Sequence, residues 1–319
     1  MTAAVERYGA PTPTEVAEAS PSVAAQLLSR ATWLTLRIAL GIGSRGPNLP
    51  LLYGAIDMAA RAVPRARGAR GSTVKLPHCR AALVRAPGVA EHTGRVVLYL
   101  HGGGFFCCGL NTHANIITRL SRYADAPVLA VDYRMIPKHS LDDALNDCRD
   151  AYARLRQRYR ADQIVLAGDS AGGYLALTLA QQLWYEREKP AAMTLMSPLL
   201  QLDPGPKCRH YNVINDSMFP PSVFGWLHAM LGRANHGRIY EPLNHIPPDL
   251  PPTLIHVSDS EVLLHDARLA ASRLAAVRVP VELRTWPGQI HVFQIAAGLV
   301  PEAERSLRHI GAYIREATS

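Results

Sequence analysis

A glycine-rich turn between an apolar strand and an apolar helix is the sequence feature that most constrains the fold of this 319-residue chain. The apolar run Ile164–Leu166 predicts a buried strand, and the residues after Ser170 predict a helix that is apolar almost all round. The turn between them reads Gly168-Asp169-Ser170-Ala171-Gly172-Gly173. Glycines at such a turn permit strained backbone and close packing of the helix on the strand. The pattern therefore predicts a nucleophilic serine hydroxyl presented above the end of a sheet.

Short apolar strands alternate with longer helical segments from Ser72 to the end of the sequence. The predicted strands are 81–84, 96–100, 128–131, 163–167, 194–196, 253–257 and 281–285, and the predicted helices are 111–123, 141–159, 171–185, 262–276 and 302–315. This alternation is typical of a mostly parallel sheet with helices on both faces. The sequence therefore predicts the α/β fold class.

Two segments lie outside this alternation. The first is a predicted amphipathic helix that begins at Ser20-Pro21. Its apolar residues recur at helical spacing, namely Val23, Leu27, Ala31, Leu34 and Ile38. A second helix is predicted over 51–62. The stretch 201–250 is rich in Pro, His and Asn and is too long for an ordinary loop. We therefore expect an N-terminal helical cap and connector over 1–70, a core over 71–319, and a cap insertion at about 201–250.

A second glycine run, His101-Gly102-Gly103-Gly104, directly follows the predicted strand 96–100. Consecutive glycines expose backbone N–H groups with no side chains in the way, as the oxyanion of a tetrahedral intermediate requires. The alternative, a glycine turn that binds phosphate, lacks the lysine or the G-x-G-x-x-G spacing of nucleotide sites. The motif therefore indicates an oxyanion hole beside the predicted nucleophile.

A serine nucleophile requires a general base, and in serine hydrolases built on such sheets an acid and then a histidine follow the serine in chain order. His291 lies in the loop 287–293, just after the predicted strand 281–285. The end of the predicted strand 253–257 offers two carboxylates, Asp259 and Glu261. We predict His291 as the base, and the residues alone leave both carboxylates open as the acid.

These motifs resemble those of one enzyme family. His101–Gly104, Gly168–Gly173 and His291-Val292-Phe293 are similar to the hormone-sensitive-lipase-like branch of the α/β-hydrolases, the bacterial carboxylesterases and lipases. The resemblance runs from about Val96 to the C-terminus. It implies an eight-stranded α/β-hydrolase sheet with a cap over the active site. The apolar stripe of the N-terminal helix would then rest on the mouth of that site.

A further segment matches the family in part. Asp132-Tyr133-Arg134 with Pro137, followed by Ala144–Asp147, resembles the family's tyrosine-arginine and double-acid segment. Lys138 stands where that segment usually has glutamate, and Asn146 replaces one of its two acids. These two replacements remove carboxylates with which Arg134 would form an ion pair.

The resemblance also implies the roles of the site residues. His101 and Asp169 would be structural, and Glu261 is preferred over Asp259 as the acid because the family's acid lies about thirty residues before its histidine. The implied catalytic residues are Ser170 as nucleophile, His291 as base and Glu261 as acid, with Gly103, Gly104 and Ala171 as the oxyanion N–H donors. The implied substrates are short- to medium-chain acyl esters, hydrolysed without a cofactor or a metal.

Aromatic and sulfur side chains near these motifs are candidate walls of the substrate pocket. They are Phe105 and Phe106 after the glycine run, and Met218, Phe219, Phe224 and Trp226 in the predicted insertion. Plain core packing is the alternative for each of them.

The distribution of charge bears on whether the chain binds nucleic acid or a membrane surface. The net charge is +8, yet the only dense basic stretch is Arg61–Arg70, which contains Pro64 and Gly68 and no aromatic residue. We interpret it as a solvated connector and predict no nucleic-acid partner. A patch that makes weak contact with a membrane surface is the alternative interpretation.

The sequence also predicts a cytoplasmic location. The longest apolar stretch, Ala31–Ser44, is interrupted by Arg37, so it is unsuited to span a bilayer, and no signal peptide is visible near the N-terminus. The five cysteines lack C-x-x-C spacing, so neither a disulfide framework nor a zinc site is predicted. Cys107 and Cys108 follow two phenylalanines, and we interpret them as inert buried thiols.

Two other functions would use these residues differently. One is a lipid-surface lipase or an interaction protein that uses the basic connector and the N-terminal helix, which salt-sensitive binding to anionic vesicles would reveal. The other is a non-catalytic small-molecule receptor on the same fold, which the presence of a serine, an acid and a histidine disfavours.

Overall fold

A single mixed sheet organises the molecule. The computed structural model describes residues 13–46, 56–60, 68–91 and 93–319. Nine strands of these residues are β1 (Thr14–Ala17), β2 (Arg70–Lys75), β3 (Arg80–Arg85), β4 (Val96–Leu100), β5 (Val128–Asp132), β6 (Ile164–Asp169), β7 (Ala192–Met196), β8 (Thr253–Ser258) and β9 (Val281–Trp286). Their order is β1-β9-β8-β7-β6-β4-β5-β3-β2. β3 pairs antiparallel with β2 and β5, and every other pairing is parallel.

The strand order reverses at β4, which lies between β5 and β6. In open α/β sheets such a reversal leaves a crevice at the carboxyl ends of the strands, where ligands bind. The two glycine motifs of the sequence directly follow β4 and β6. The topology therefore brings both motifs to the same crevice.

Helices cover both faces of the sheet. They are α1 (Val23–Thr32), α2 (Ile38–Gly43), α3 (Ala114–Ala124), α4 (Leu141–Arg156), α5 (Ala171–Tyr185), α6 (Pro204–Arg209), α7 (Pro221–Ala234), α8 (Leu264–Ala276) and α9 (Pro301–Ala317). Leu98 and Leu100 of β4 pack in the core formed with α4, α5 and α8, whereas Val97 and Tyr99 pack in the core formed with α3 and α9. Side chains alternate along a strand, so β4 is buried on both faces and is continuously apolar.

The sheet has one strand more than the eight that the sequence predicts. The strands without a specific prediction, β1 and β2, lie at the two edges of the sheet, and most of their residues are exposed. An edge strand of this kind lacks the apolar run that marks a buried strand. β1 is held by parallel pairing with β9 and by ion pairs of Glu15 with Arg268 and of Glu18 with Arg284, both at 2.8 Å. The predicted boundary after residue 70 thus has one strand of the sheet on its N-terminal side.

The N-terminal helix, defined here as residues 23–43, is continuous and contains a π-helical turn at Trp33–Arg37 between α1 and α2. Ser22 caps its first turn, because its Oγ accepts a hydrogen bond from the Ala25 amide at 3.2 Å. The amide and hydroxyl of Ser22 also donate to the carboxylate of Glu302 at 2.8 and 2.9 Å. The helix is therefore anchored to α9 at its start.

The C-terminal half of this helix is anchored to the insertion, defined here as residues 201–250. The Arg37 guanidinium donates to the carbonyl oxygens of Asp216, Phe219 and Val213 at 2.5, 2.8 and 3.0 Å. Leu40 packs against Val223 of α7. The N-terminal helix and the insertion therefore form one layer.

The apolar stripe of this helix does not rest on the mouth of a site, contrary to the prediction. The side chains of Val23, Leu27, Leu34 and Ile38 are between 50% and 71% exposed. The contacts of Arg37 and Leu40 turn the other side of the helix toward the insertion. The prediction was wrong because it assigned burial by apolar spacing alone.

Other predictions for the N-terminal segment fall largely outside the described residues. Of the predicted helix 51–62 only residues 56–60 are described, and these are helical. Residues 61–67, which make up most of the basic stretch, lie outside the described part. Among the residues that the structure describes, no helix is both long enough and apolar enough to cross a bilayer.

Candidate active site

Ser170 occupies a sharp turn between β6 and α5. Its backbone φ is +49°, a left-handed conformation that is strained for a serine. The turn brings the chain so close to β4 that a Cβ on Gly172 would lie 1.9 Å from the Leu100 carbonyl oxygen. The Ser170 amide donates to the Met196 carbonyl of β7 at 2.9 Å, and the Ser170 carbonyl accepts from the Leu199 amide at 3.0 Å. The neighbouring strands thus hold the strained serine in place.

The segment 101–108, called the glycine loop here, turns back on itself after β4. Gly103 has a φ of +112°, and a Cβ there would lie 2.0 Å from the Cys107 carbonyl oxygen. No acceptor among the described residues takes a hydrogen bond from the backbone amides of Gly103, Gly104 or Ala171. These three amides are the donors that the sequence predicted for an oxyanion, and they are available to one.

His291 is in contact with Glu261. The distance from His291 Nδ1 to Glu261 Oε2 is 2.5 Å, and both side chains are buried. Glu261 Oε1 accepts hydrogen bonds from the Ser197 hydroxyl at 2.6 Å and from the Ser258 amide at 2.9 Å. A carboxylate only accepts hydrogen bonds, so the Nδ1 of a neutral His291 carries the proton and its Nε2 is left to accept one.

Asp259 is turned away from this pair. Its carboxylate accepts hydrogen bonds from the Gly288 amide at 2.9 Å and from the Ser260 hydroxyl at 2.7 Å. These contacts bind the two loops that follow β8 and β9. Of the two carboxylates that the residues left open, the geometry brings Glu261 to His291.

Three polar residues that the sequence did not identify hold Glu261 and His291 in position. Ser197, directly after β7, donates to Glu261 and accepts from the Val292 amide at 3.2 Å, so it connects the loops of both residues. Asn212 Nδ2 donates to the backbone carbonyl of Glu261 at 3.0 Å. Asp216 accepts from the Val262 amide at 2.9 Å, and burial raises the pKa of its carboxyl. The position of Ser197 at a strand end was a usable signal, but Asn212 and Asp216 carry none in their local sequence.

A buried ion pair lies beneath the serine turn. Asp169, the residue before Ser170, accepts hydrogen bonds from the Tyr99 hydroxyl and from His113 Nε2, the latter at 3.1 Å. Burial by itself lowers the pKa of His113, but the charge of Asp169 and the hydrogen bond to it outweigh burial and raise that pKa to about 9. Asp169 and His113 therefore form a carboxylate and imidazolium pair at neutral pH.

An apolar cavity of about 300 Å³ lies over these groups. Ser170 and His291 line it together with Gly103 and Gly104. Its apolar walls include four of the predicted pocket residues and two residues of the N-terminal helix, namely Phe106, Met218, Phe219, Phe224, Leu36 and Leu40. The insertion and the N-terminal helix thus both face the candidate site.

Two predicted pocket residues do not line this cavity. Phe105 is buried in the core, where its ring packs edge-on against Tyr174 with centroids 5.4 Å apart. Trp226 packs behind Phe106, with ring centroids 5.0 Å apart. Both therefore follow the core-packing alternative, because successive residues of a turn or helix point in different directions.

Arg134 retains its ion pair despite the departures at Lys138 and Asn146. Its guanidinium contacts the buried carboxylate of Asp147 at 2.9 Å and that of Asp143 at 3.1 Å. Its backbone amide also donates to Asp147 at 2.8 Å. Asp147, the remaining acid of the double-acid segment, thus holds Arg134 together with Asp143.

The sequence is similar to those of known ester hydrolases. A family model described as alpha/beta hydrolase fold matches residues 97–295. Carboxylesterase/phospholipase LipF of Mycobacterium tuberculosis strain H37Rv is 55% identical over 318 residues, which cover 96% of this chain and 85% of that protein. Esterase LipU of the same organism is 54% identical over 296 residues, which cover 89% of this chain and 100% of that protein.

The fold is similar to those of solved esterases. A crystal structure of EstE5 superposes with a TM-score of 0.82 at 27% identity, covering 93% of this chain and 99% of that one. A crystal structure of an esterase from the bacterial hormone-sensitive lipase family superposes with a TM-score of 0.79 at 26% identity, covering 91% of this chain and 99% of that one.

The pair of His113 and Asp169 predicts a specific dependence of stability on pH. The pKa of His113 is raised from 6.5 to about 9 in the folded state, so the folded chain binds the proton more tightly than the unfolded chain. Its stabilising contribution is complete below about pH 6.5 and is lost as the pH rises through about 9. We expect the difference in unfolding free energy between the wild type and His113→Asn, measured by urea denaturation, to decrease over this range.

The control for this measurement is His78→Asn, because His78 is exposed. It should leave the pH dependence of the unfolding free energy unchanged. A wild-type advantage over His113→Asn that stays constant from neutral pH to above the raised pKa would contradict a charged His113.

Proposed function

Because the chain belongs to the α/β-hydrolase fold family, we propose that it is a serine carboxylesterase whose acyl-enzyme forms on Ser170. The predicted family, the α/β-hydrolase fold and the ester hydrolase class are confirmed by the matching family model and by relatives that are named as esterases. The observation that most directly supports the residue assignment is the 2.5 Å contact of His291 with Glu261 beside a cavity that Ser170 also lines.

The first half of the reaction forms the acyl-enzyme. Ser170 Oγ attacks the ester carbonyl carbon while His291 Nε2 accepts the hydroxyl proton. The carbonyl oxygen becomes an oxyanion that receives hydrogen bonds from the amides of Gly103, Gly104 and Ala171. The carbon–oxygen bond to the alcohol then breaks, and the alcohol leaves with the proton that His291 returns.

The second half releases the acid. His291 accepts a proton from water, and the water oxygen attacks the acyl carbon on Ser170. Glu261 keeps the imidazole in its orientation and stabilises it when it is charged. Hydrolysis of the acyl bond regenerates the Ser170 hydroxyl and completes the cycle without a cofactor.

The cavity supports small esters with short- to medium-chain acyl groups as substrates. Its volume of about 300 Å³ lies at the lower end of the range of small-molecule pockets. Its walls of leucine, methionine and phenylalanine suit an alkyl chain, whose burial there is favourable. The N-terminal helix and the insertion together would serve as the cap that encloses this chain. A cytoplasmic location stays a prediction, with which the five free cysteines agree.

A second candidate function is hydrolysis of phospholipids at a membrane surface. The N-terminal helix exposes Val23, Leu27, Leu34 and Ile38, while its other side contributes Leu36 and Leu40 to the cavity wall. An apolar helix face at the water interface is typical of proteins that rest on lipid. Exposed Arg30 and Arg45 on and just after this helix would favour anionic headgroups. LipF, one of the similar proteins, is named as both a carboxylesterase and a phospholipase.

Replacement of the nucleophile tests the primary proposal. Ser170→Ala removes the attacking oxygen, so kcat for ester hydrolysis should fall by about 10⁴ to 10⁶ and labelling by a fluorophosphonate should be abolished. Ser29→Ala, on the N-terminal helix, is the matched control and should behave as the wild type. Retained labelling of a folded Ser170→Ala variant would exclude Ser170 as the nucleophile.

Paired substitutions test the acid. Glu261→Gln cannot balance the charge of the imidazolium, so kcat should fall by about 10² to 10⁴, whereas Asp259→Asn should lower it by less than about tenfold. Rates of both purified variants are compared on one ester, with thermal unfolding as the check on folding. An inactive Asp259 variant beside an active Glu261 variant would reverse the assignment.

Lipid contact is tested on vesicles of anionic phosphatidylglycerol. Leu27→Gln combined with Leu34→Gln should weaken vesicle binding at least about tenfold, since burial of one leucine stabilises by about 1.5–3 kcal/mol. Tyr185→Ser is the control, because Tyr185 is 66% exposed and lies at the opposite end of α5 from Ser170. Equal vesicle binding by both variants, or no binding by the wild type, would exclude the N-terminal helix as a lipid-contacting surface.

A further inference from the structure

Two adjacent cysteines lie at the end of the glycine loop and face the candidate site. Cys107 and Cys108 both line the cavity that contains Ser170 and His291. Both are free thiols and are half-buried, which differs from the inert buried thiols that the sequence suggested. Their sulfur atoms are 3.7 Å apart. The cavity therefore contains a dithiol within reach of a small molecule.

The distance between the two sulfur atoms fits a single atom bonded to both of them better than it fits a direct disulfide bond. Two bonds of about 2.3 Å from one atom, meeting at an angle of about 90–110°, place their sulfur atoms about 3.3–3.8 Å apart, a range that includes the observed 3.7 Å. A disulfide requires an S–S distance of about 2.05 Å and Cα atoms that are usually at least about 4.4 Å apart. Adjacent Cα atoms are only about 3.8 Å apart, so the two cysteines are poorly placed for a direct bond.

The two thiols differ in acidity. The hydrogen bond between the two sulfur atoms, together with the charge of His113, outweighs burial and lowers the pKa of Cys108. The same hydrogen bond and burial raise the pKa of Cys107. Cys108 is therefore the more acidic of the two thiols and the better nucleophile.

We propose that Cys107 and Cys108 form a binding site for monosubstituted trivalent arsenicals, which join two thiols through one arsenic atom. Both As–O bonds of the hydrated arsenical, R–As(OH)₂, break, and one As–S bond forms to each cysteine. The two hydroxyl groups leave as two water molecules, one with each thiol proton. Arsenic remains trivalent, so the step needs no oxidant or reductant.

Occupation of this site would block ester hydrolysis, a consequence that rests on the proposed function. Cys107 Sγ lies 3.0 Å from the Gly103 carbonyl oxygen, and the Cys107 amide donates to that same oxygen at 3.0 Å. An arsenic bridge would add its substituent to the cavity and disturb the turn that presents the Gly103 amide. Binding at the dithiol and access to the acyl site should therefore exclude each other.

Intact-protein mass spectrometry tests the site without reference to activity. The full chain is treated with one equivalent of phenylarsine oxide and then washed with a monothiol, which competes for singly bound arsenic. The wild type and Cys208→Ser should keep one phenylarsenic group per chain, and 2,3-dimercaptopropanol should remove it. Cys107→Ser and Cys108→Ser should each lose at least about nine-tenths of the adduct in the monothiol wash, because one bond remains.

The outcomes separate this site from the proposed function. Ser170→Ala should keep the adduct, so failure of the esterase assignment would leave the mass result unaffected. Adduct retained by a folded Cys108→Ser or Cys107→Ser variant, or absent from the wild type, would overturn the dithiol site. Full ester hydrolysis by the wild-type adduct would overturn the blocking effect.

Discussion

The strained backbone of Ser170 is the constraint on which the rest of the site depends. Its positive φ is compatible with the fold because β4 and β7 contact the turn from both sides, through Leu100 opposite Gly172 and through Met196. These contacts exist only when β4, β6 and β7 are neighbours in that order. The same order places the loop that follows β4 beside the serine. The order of the strands therefore determines where the amides of Gly103 and Gly104 lie relative to the Ser170 hydroxyl.

The proposed acid Glu261 and the proposed base His291 are held by a second set of contacts, which begins far away in the chain. Arg37 of the N-terminal helix binds the carbonyl of Asp216, and the carboxylate of Asp216 binds the amide of Val262, next to Glu261. Asn212 of the insertion binds the carbonyl of Glu261 itself. The layer that covers the cavity is thus hydrogen-bonded to the loop that orients His291. A shift of this layer would therefore change the position of Glu261 as well as the shape of the cavity wall.

Local chemistry explains which parts of the molecule could be predicted from the sequence. The turn at Ser170 and the glycine loop were predictable because a glycine run directly follows a buried, apolar strand, and the loop of His291 was predictable because a histidine lies in the short loop after a predicted strand. The edge strand β1 and the roles of Asn212 and Asp216 were not, because they depend on pairing with residues tens to hundreds of positions away. The exposed face of the N-terminal helix could not be predicted for the same reason. Its packing depends on Arg37, a charged residue whose partners are backbone carbonyls of the insertion.

The ion pair of Asp169 and His113 neutralises a buried negative charge next to Ser170. Asp169 is buried next to Ser170, and an isolated carboxylate there would repel the oxyanion that the proposed mechanism places at the amides of Gly103 and Ala171. The Tyr99 hydroxyl and the His113 imidazolium both bind this carboxylate, and the charge of His113 balances it. The two charges cancel at every pH at which His113 is protonated and Asp169 is not. In the proposed mechanism the developing negative charge then interacts with the amide dipoles without opposition from Asp169, which favours stabilisation of the transition state by those dipoles.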